Sequence, residues 1–282
     1  MPAEKGHHAS DRIGILRFVR WTACNVNLME ILHIMKNLLK PNFIPVILTK
    51  IARRAESDNS EVALSWAKSQ VNDATEFFSS IDAQLWGEAT LEAQEIEKNS
   101  KEILAHIAHD LGGGGAYPIL YFLTRRYYPN VIIETGVAAG WSSRIFLTAI
   151  SKNKSGHLYS SDFPYFRLDN PEKFIGILVP KNLKNNWTLN IRGDSEALDE
   201  FLTKVSDINL FHYDSDKSYA GREKAWETVS KKLSRSAIVI FDDIQNNLHF
   251  KDLVEKLNVN YSIFEFEGKY LGMFSQENIF LS

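Results

Sequence analysis

Cysteine is nearly absent from this sequence of 282 residues: Cys24 stands alone. No disulfide can form within the chain, which fits a reducing cytoplasm. Neither sign of charge is in excess, since 32 Lys and Arg against 35 Asp and Glu leave a formal charge of -3. That balance gives no whole-chain reason to expect nucleic acid or an acidic partner. There is no internal repeat and no low-complexity tract. Long apolar runs are missing too, and the first ten residues are polar, so neither a spanning helix of about 18 residues nor a secretory signal is expected. The nearest approach, Met29 to Ile51, is broken by Lys36, Lys40, Pro41, Pro45 and Lys50. Followed by Arg53 and Arg54, it reads first as a helix pair packed on the domain or on a second subunit. An amphipathic membrane-surface segment is the alternative.

What is present is an ordinary globular balance, 44% hydrophobic and 24% charged, with length for one large domain plus an extension. The chain changes character near residue 130. Ile96, Ile103, Ile107 and Leu111 fall at helical spacing, and that helix is expected to stop at Gly112–Gly115. A second helix is expected over Pro118–Tyr128, with Pro118 in its first turn. Beyond Pro129, β-rich runs alternate with helical stretches: Val131–Thr135, Gly156–Ser161, Trp187–Ile191, Ile208–Tyr213 and Ala237–Phe241. These are repeated βαβ units, hence a parallel sheet covered on both faces. Two further strands, Tyr261–Phe266 and Tyr270–Phe274, are joined only by Glu267-Gly268-Lys269, which suits an antiparallel hairpin. The expected fold is a doubly wound, mostly parallel α/β sheet of seven strands ending in that hairpin. A helical N-terminal extension over 1–116 would precede a catalytic domain over 117–282.

The first strand runs into Glu134-Thr135-Gly136-Val137-Ala138-Ala139-Gly140-Trp141-Ser142-Ser143. Small residues let the backbone approach a ligand, and the helix that Ser142 or Ser143 opens offers unpaired N–H groups. A pyrophosphate loop would carry Gly-x-Gly-x-x-Gly, whereas only Gly136 and Gly140 are present here. Glu134 at the strand end would repel a pyrophosphate but suits a cationic ammonium group. The second strand ends at Asp162, about 20 residues beyond the loop, where an acid can accept bonds from ribose hydroxyls. After the third strand, Asp194 and Ser195 either cap a helix or contact an adenine.

Strand four leads into Tyr213-Asp214-Ser215-Asp216-Lys217 and strand five into Phe241-Asp242-Asp243. Adjacent parallel strands should bring Asp214, Asp242 and Asp243 together. Clustered carboxylates repel one another unless a cation sits between them, and hard oxygen ligands suit Mg²⁺ better than zinc. Loop capping is the plain alternative for the Asp pair. His212 reads as a packed residue rather than a ligand. Lys217, three residues after Asp214, is either a general base that burial and a metal help to deprotonate, or a solvated lysine opening a charged helix.

In this order the motifs resemble class I methyltransferases that use S-adenosylmethionine (SAM). More narrowly, they are similar to metal-assisted O-methyltransferases of sugars and natural products, such as the macrocin, mycinamicin and CmcI-like enzymes, with catechol O-methyltransferase more distant. The resemblance covers about residues 117–276. It implies that Glu134, Thr135, Gly136, Gly140 and Ser142 form the loop for the methionine part of SAM, and that Asp162 holds the ribose, with Asp194 and Ser195 beyond. It further implies that Asp214, Asp242 and Asp243 hold Mg²⁺, and that Asp214 and Lys217 are catalytic, Lys217 as base where the sugar enzymes often have His. The expected product is a methylated hydroxyl of a small acceptor, made in the cytoplasm without nucleic acid or a transmembrane segment, by a possible homo-oligomer. The segment Phe163–Trp187 would form a substrate lid or a surface excursion, and Gly112–Gly115 with Tyr117 would border the acceptor. The alternatives are a metal-independent methyltransferase, an NAD-dependent oxidoreductase on a similar sheet, and a non-catalytic SAM-binding subunit.

Overall fold

The computed structural model describes Leu32, His33, Met35, Lys36 and residues 59–165, 168–277 and 279–281. The chain divides into two units, Met1–Ser57 with Tyr165–Pro171, and Asp58–Pro164 with Glu172–Ser282; the second carries the sheet. The expectations for Met29–Ile51 fall, but for four residues, outside the described chain.

Among the described residues from 59 onward, three helices precede the first strand: α1 (Ser60–Ser69), α2 (Ala74–Leu104) and α3 (Tyr117–Tyr127). Asp73 caps α2 by accepting from Glu76 N at 2.8 Å. Asp82 repeats the device inside it: its backbone leaves the helical region, the helix kinks, and its carboxylate accepts from Leu85 N at 2.9 Å. The sequence expectation that this helix reaches the glycines is corrected. It ends at Leu104, where His106 N and Ile107 N reach back only three residues, to Ile103 O and Leu104 O. Leu111 is buried beyond that end. Pro118 does lie in the first turn of α3.

The alternating elements then follow: β1 (Val131–Thr135), α4 (Trp141–Asn153), β2 (His157–Ser161), β3 (Trp187–Asn190), α5 (Asp194–Lys204), β4 (Ile208–Tyr213), α6 (Tyr219–Val229), β5 (Leu233–Phe241), α7 (His249–Leu257), β6 (Tyr261–Phe266) and β7 (Lys269–Ser275). They form one seven-stranded sheet in the order β3-β2-β1-β4-β5-β7-β6. The first five strands are parallel, and β7 runs antiparallel between β5 and β6. This is the doubly wound sheet with a terminal hairpin that the strand pattern implied. Between β2 and β3 the chain carries two short 3₁₀ turns, Pro171–Phe174 and Lys181–Asn186.

The two-residue period of the strands sorts side chains to two cores. On one face Phe211 and Tyr213 of β4 join Phe201, Trp226, Phe241, Phe250 and Phe274. On the other, Phe78, Trp86 and Phe122 cluster at ring distances of 4.9 to 6.0 Å, and Phe264 joins Phe78 at 5.1 Å. The outer edge of β6 is covered by the segment after α1, where Asn72 N donates to Ile263 O at 2.8 Å. Among the described residues no helix is long and apolar enough to cross a membrane.

His249, at the start of α7, is buried between the rings of Tyr219 and Phe241, with Nε2 3.0 Å from Glu223. Burial, with Arg222 and Lys256 adding repulsion, pushes its pKa down to about 3. The folded state therefore disfavours the proton that the unfolded chain accepts near pH 6.5. The contribution of His249 is fully present above that pH and declines as pH falls toward 3, by up to about 1.4 kcal/mol per unit. Denaturant melts from pH 7 to 4 should show a shallower pH dependence for His249→Gln than for the parent; equal slopes would refute the assignment.

Candidate active site

Backbone bonds continue the parallel ladder one step past the strand ends. Asp162 N donates to Asn190 O (3.0 Å), Gly136 N to Ser161 O (2.9 Å), Asp214 N to Thr135 O (2.9 Å) and Asp242 N to Tyr213 O (2.9 Å). The turns after β2, β1, β4 and β5 therefore stand in one row at the carboxyl edge of the sheet, where open α/β sheets bind ligands. The row is tight. A Cβ added at Gly136, whose φ is +85°, would lie 2.2 Å from the Asp214 carbonyl oxygen. The glycine loop and the acid turn touch backbone to backbone only because that position has no side chain.

Glu134 differs from its expected role. It is fully buried, and its carboxylate accepts from the hydroxyls of Ser142 (2.5 Å), Ser143 (2.5 Å) and Ser160 (2.7 Å). His212, its neighbour across β4, places Nδ1 3.9 Å away. An anion so enclosed does not face a ligand's ammonium group. It ties β1 to the first turn of α4, and the Ser142 hydroxyl is taken up in the same contact. Thr135 is likewise buried, and its hydroxyl meets Ser215 Oγ at 3.2 Å.

Asp162 organises the loop. One carboxylate oxygen accepts from Val137 N (3.0 Å) and Ala138 N (2.5 Å), the other from Phe163 N (2.6 Å). The segment before β3 supports the loop from the other side: Gly176 N donates to Ala138 O and Leu178 N to Ala139 O, at 2.9 and 3.0 Å. Gly140 sits so close that a Cβ there would lie 2.8 Å from the Gly176 Cα. Asp194 accepts from Ser161 Oγ at 2.8 Å, and Ser195 is exposed. Neither caps α5, whose N-cap is Gly193, so the capping alternative is corrected.

The acid cluster is brought together, but around a lysine. Lys217 Nζ contacts Asp214 Oδ1 and lies 2.9 Å from Asp243 Oδ2, while Asp242 turns to His212, with 3.4 Å between Oδ2 and Nε2. Asn247 Nδ2 donates to Lys217 O at 2.7 Å and fixes the turn. Burial favours the neutral amine of Lys217, but the carboxylates of Asp214, Asp243 and Asp242 outweigh it and hold its pKa above the usual lysine value. Lys217 is thus an ammonium here, contrary to the expectation that it would lose its proton readily. Burial raises Asp214 despite Lys217; for Asp243 the pull of Lys217 and of the Gln245 amide overcomes burial and lowers it. Among the described residues, no three His, Cys, Asp or Glu side chains gather as a metal-holding group. The donor chemistry of the three aspartates suits Mg²⁺; their arrangement does not.

Sequence reasoning missed Arg222, which lies in the charged helix expected after Lys217. It is almost fully buried, lies over the rings of Tyr213 and Phe241 (5.8 and 5.9 Å), and donates to the carbonyls of Asp242 (2.8 Å) and Asp243 (3.0 Å). It thereby holds a turn in which Asp243 adopts φ +53°. Its spacing to Ala225, Trp226 and Val229, which puts all four on one face of α6, was the available signal.

The glycines before α3 do border this edge. Trp141 Nε1 donates to Gly112 O at 3.2 Å, the Trp141 ring stacks on Tyr117 at 5.7 Å, and Lys269 Nζ reaches Gly113 O at 3.4 Å. Burial raises the Tyr117 phenol pKa, and the charges of Asp214 and Asp242 add to the rise.

Residues 133–244 match the family described as "Methyltransferase domain". That segment spans the glycine loop, Asp162 and the whole acid cluster. Over that segment the chain is similar to the methyltransferase-domain family, and it sits on the doubly wound sheet order described above. No curated protein sequence matches the chain. Similar solved structures include an O-methyltransferase from Bacillus cereus in complex with SAH, S-adenosylhomocysteine (14% identity, 74% of this chain and 99% of that one, TM-score 0.47). Another is the O-methyltransferase TomG from Streptomyces achromogenes, involved in tomaymycin synthesis, in complex with SAM (14%, 72% and 99%, TM-score 0.49). A third is the SAH-bound methyltransferase PaMTH1 from Podospora anserina (12%, 69% and 96%, TM-score 0.47).

Proposed function

We propose that this domain transfers the methyl group of SAM to a hydroxyl of a small acceptor of the sugar or natural-product type. The observation that carries the reading is the shared edge: the loop at Gly136 and the Asp214–Lys217 turn are in backbone contact, so donor and acceptor sites adjoin. The acceptor oxygen attacks the methyl carbon in line, the carbon–sulfur bond breaks with its electron pair staying on sulfur, and SAH leaves. Because a sulfonium is already a good leaving group, the protein's main tasks are alignment and removal of the hydroxyl proton. The Asp214–Lys217 pair receives that proton, with the ammonium orienting the oxygen. Backbone groups of Gly136–Gly140 and the turn at Asp162 hold the methionine and ribose parts, and Asp194 and Ser195 flank the adenine. Mg²⁺ assistance, which the three hard carboxylates would suit, enters no step here, since Lys217 lies between Asp214 and Asp243. The single cysteine supports work in a reducing cytoplasm.

Saturating SAH should raise the melting temperature by a few degrees, corresponding to about 1 kcal/mol or more of linked binding. Labelled methyl from SAM should appear on hydroxylated acceptors. Stabilisation by NADH in place of SAH would mean an oxidoreductase instead.

A further inference from the structure

The acids at the edge are already matched by cations that the chain itself supplies. Lys217 Nζ touches the carboxylates of both Asp214 and Asp243. The third acid, Asp242, is turned inward to a completely buried His212. Behind the turn, the guanidinium of Arg222 is fixed on the carbonyls of Asp242 and Asp243. Lys217 is not a free arm, because Asn247 clamps its carbonyl at 2.7 Å and thereby the start of its side chain. For a divalent ion to reach all three aspartates, the ammonium would have to leave both its carboxylates and Asp242 would have to turn from His212. The incoming ion would also meet two neighbouring positive charges, whose repulsion is strong in a partly dry site.

We propose that the ammonium of Lys217 occupies the place a divalent metal would take among Asp214, Asp242 and Asp243, so that this acid cluster is filled by the protein and holds no metal. The location of the site rests on the proposed methyl-transfer reading, but the occupancy of the cluster does not. The probe is Mn²⁺, followed by the electron-paramagnetic signal of the free ion, added to the full chain with and without SAH. SAH binding is measured first by calorimetry, so failure to bind SAH sinks the methyltransferase reading and leaves the cation result separately readable.

Wild-type protein should leave the Mn²⁺ signal undiminished up to millimolar ion. Lys217→Met, which removes the ammonium and keeps the three carboxylates, should gain one equivalent of Mn²⁺ with at least tenfold tighter binding. Adding Asp214→Asn to it should abolish that gain. One equivalent bound by wild type and lost on Asp214→Asn would overturn the proposal, as would a folded Lys217→Met that takes up no Mn²⁺. Circular dichroism checks folding, Lys217→Gln stands in if Met is not tolerated, and the wild-type titration decides alone if neither folds.

Discussion

Gly136→Ala is expected to remove SAH binding and to destabilise the fold by about 3 kcal/mol or more. The added Cβ would lie 2.2 Å from the Asp214 carbonyl oxygen and 2.6 Å from its carbon, both backbone atoms that no rotamer change can move. The position also has φ +85°, which alanine adopts only at a cost. The only relief is to pull the turn after β4 away from the loop after β1. That movement opens the ladder bond from Asp214 N to Thr135 O and misplaces Lys217 with it. Thermal melts and SAH calorimetry on one preparation test both halves. A variant that keeps its melting point and its SAH affinity would show that the close approach is not a feature of the protein.

Glu134→Ala should be the more damaging of two substitutions at that position, costing about 3 to 5 kcal/mol. It would leave three buried hydroxyl donors, on Ser142, Ser143 and Ser160, without their acceptor, Ser160 keeping only its bond from Trp187 Nε1, and leave His212 without one of its two nearby acids. Glu134→Gln keeps the shape and one acceptor oxygen, and the serine hydroxyls can rotate to receive from its amide, so its cost should be about 1 kcal/mol. Urea melts would separate the two. Equal losses would mean that volume, not hydrogen bonding, is what Glu134 contributes.

Strands were legible in this sequence wherever the two-residue or fully apolar pattern was strong. The first five runs and the hairpin around Gly268 fell within a residue or two of the observed elements, apart from the start of β5. That strand begins at Leu233, not Ala237. Its leading residues Ser234–Ser236 are polar and partly solvated, and they fall where the register with β4 shifts between the Leu233 and Ile238 pairs, so no alternation marks them as strand. The site was legible as a list of residues at strand ends and illegible as charges. Glu134 reads from sequence as an acid aimed at a ligand, because nothing local reveals that Ser160 lies opposite it on β2. Asp214, Asp242 and Asp243 read as a ligand set, because three acids are visible in the string. The lysine between two of them is a matter of side-chain reach. Arg222 was hidden by its charge, which outweighed a helical spacing that places it among Ala225, Trp226 and Val229.

Antiparallel β7 has one more consequence. Because it enters beside the exit of β5, the tip of the hairpin rises past the same edge as the acid turn, and Lys269 there meets the glycine strap at Gly113. Cβ atoms built at Gly112 or Gly268 would meet nothing within 4 Å, so these two positions, unlike Gly113 to Gly115, have room for a larger side chain apart from the strain of positive φ. Neither tip shares a residue with the loop at Gly136–Gly140 or with Asp162. On the methyl-transfer reading, then, the two tips differ: exchange at 267–269 retunes the wall beside the incoming hydroxyl and leaves the donor's grip intact, whereas exchange at 112–115 also disturbs Trp141, which follows the donor loop directly.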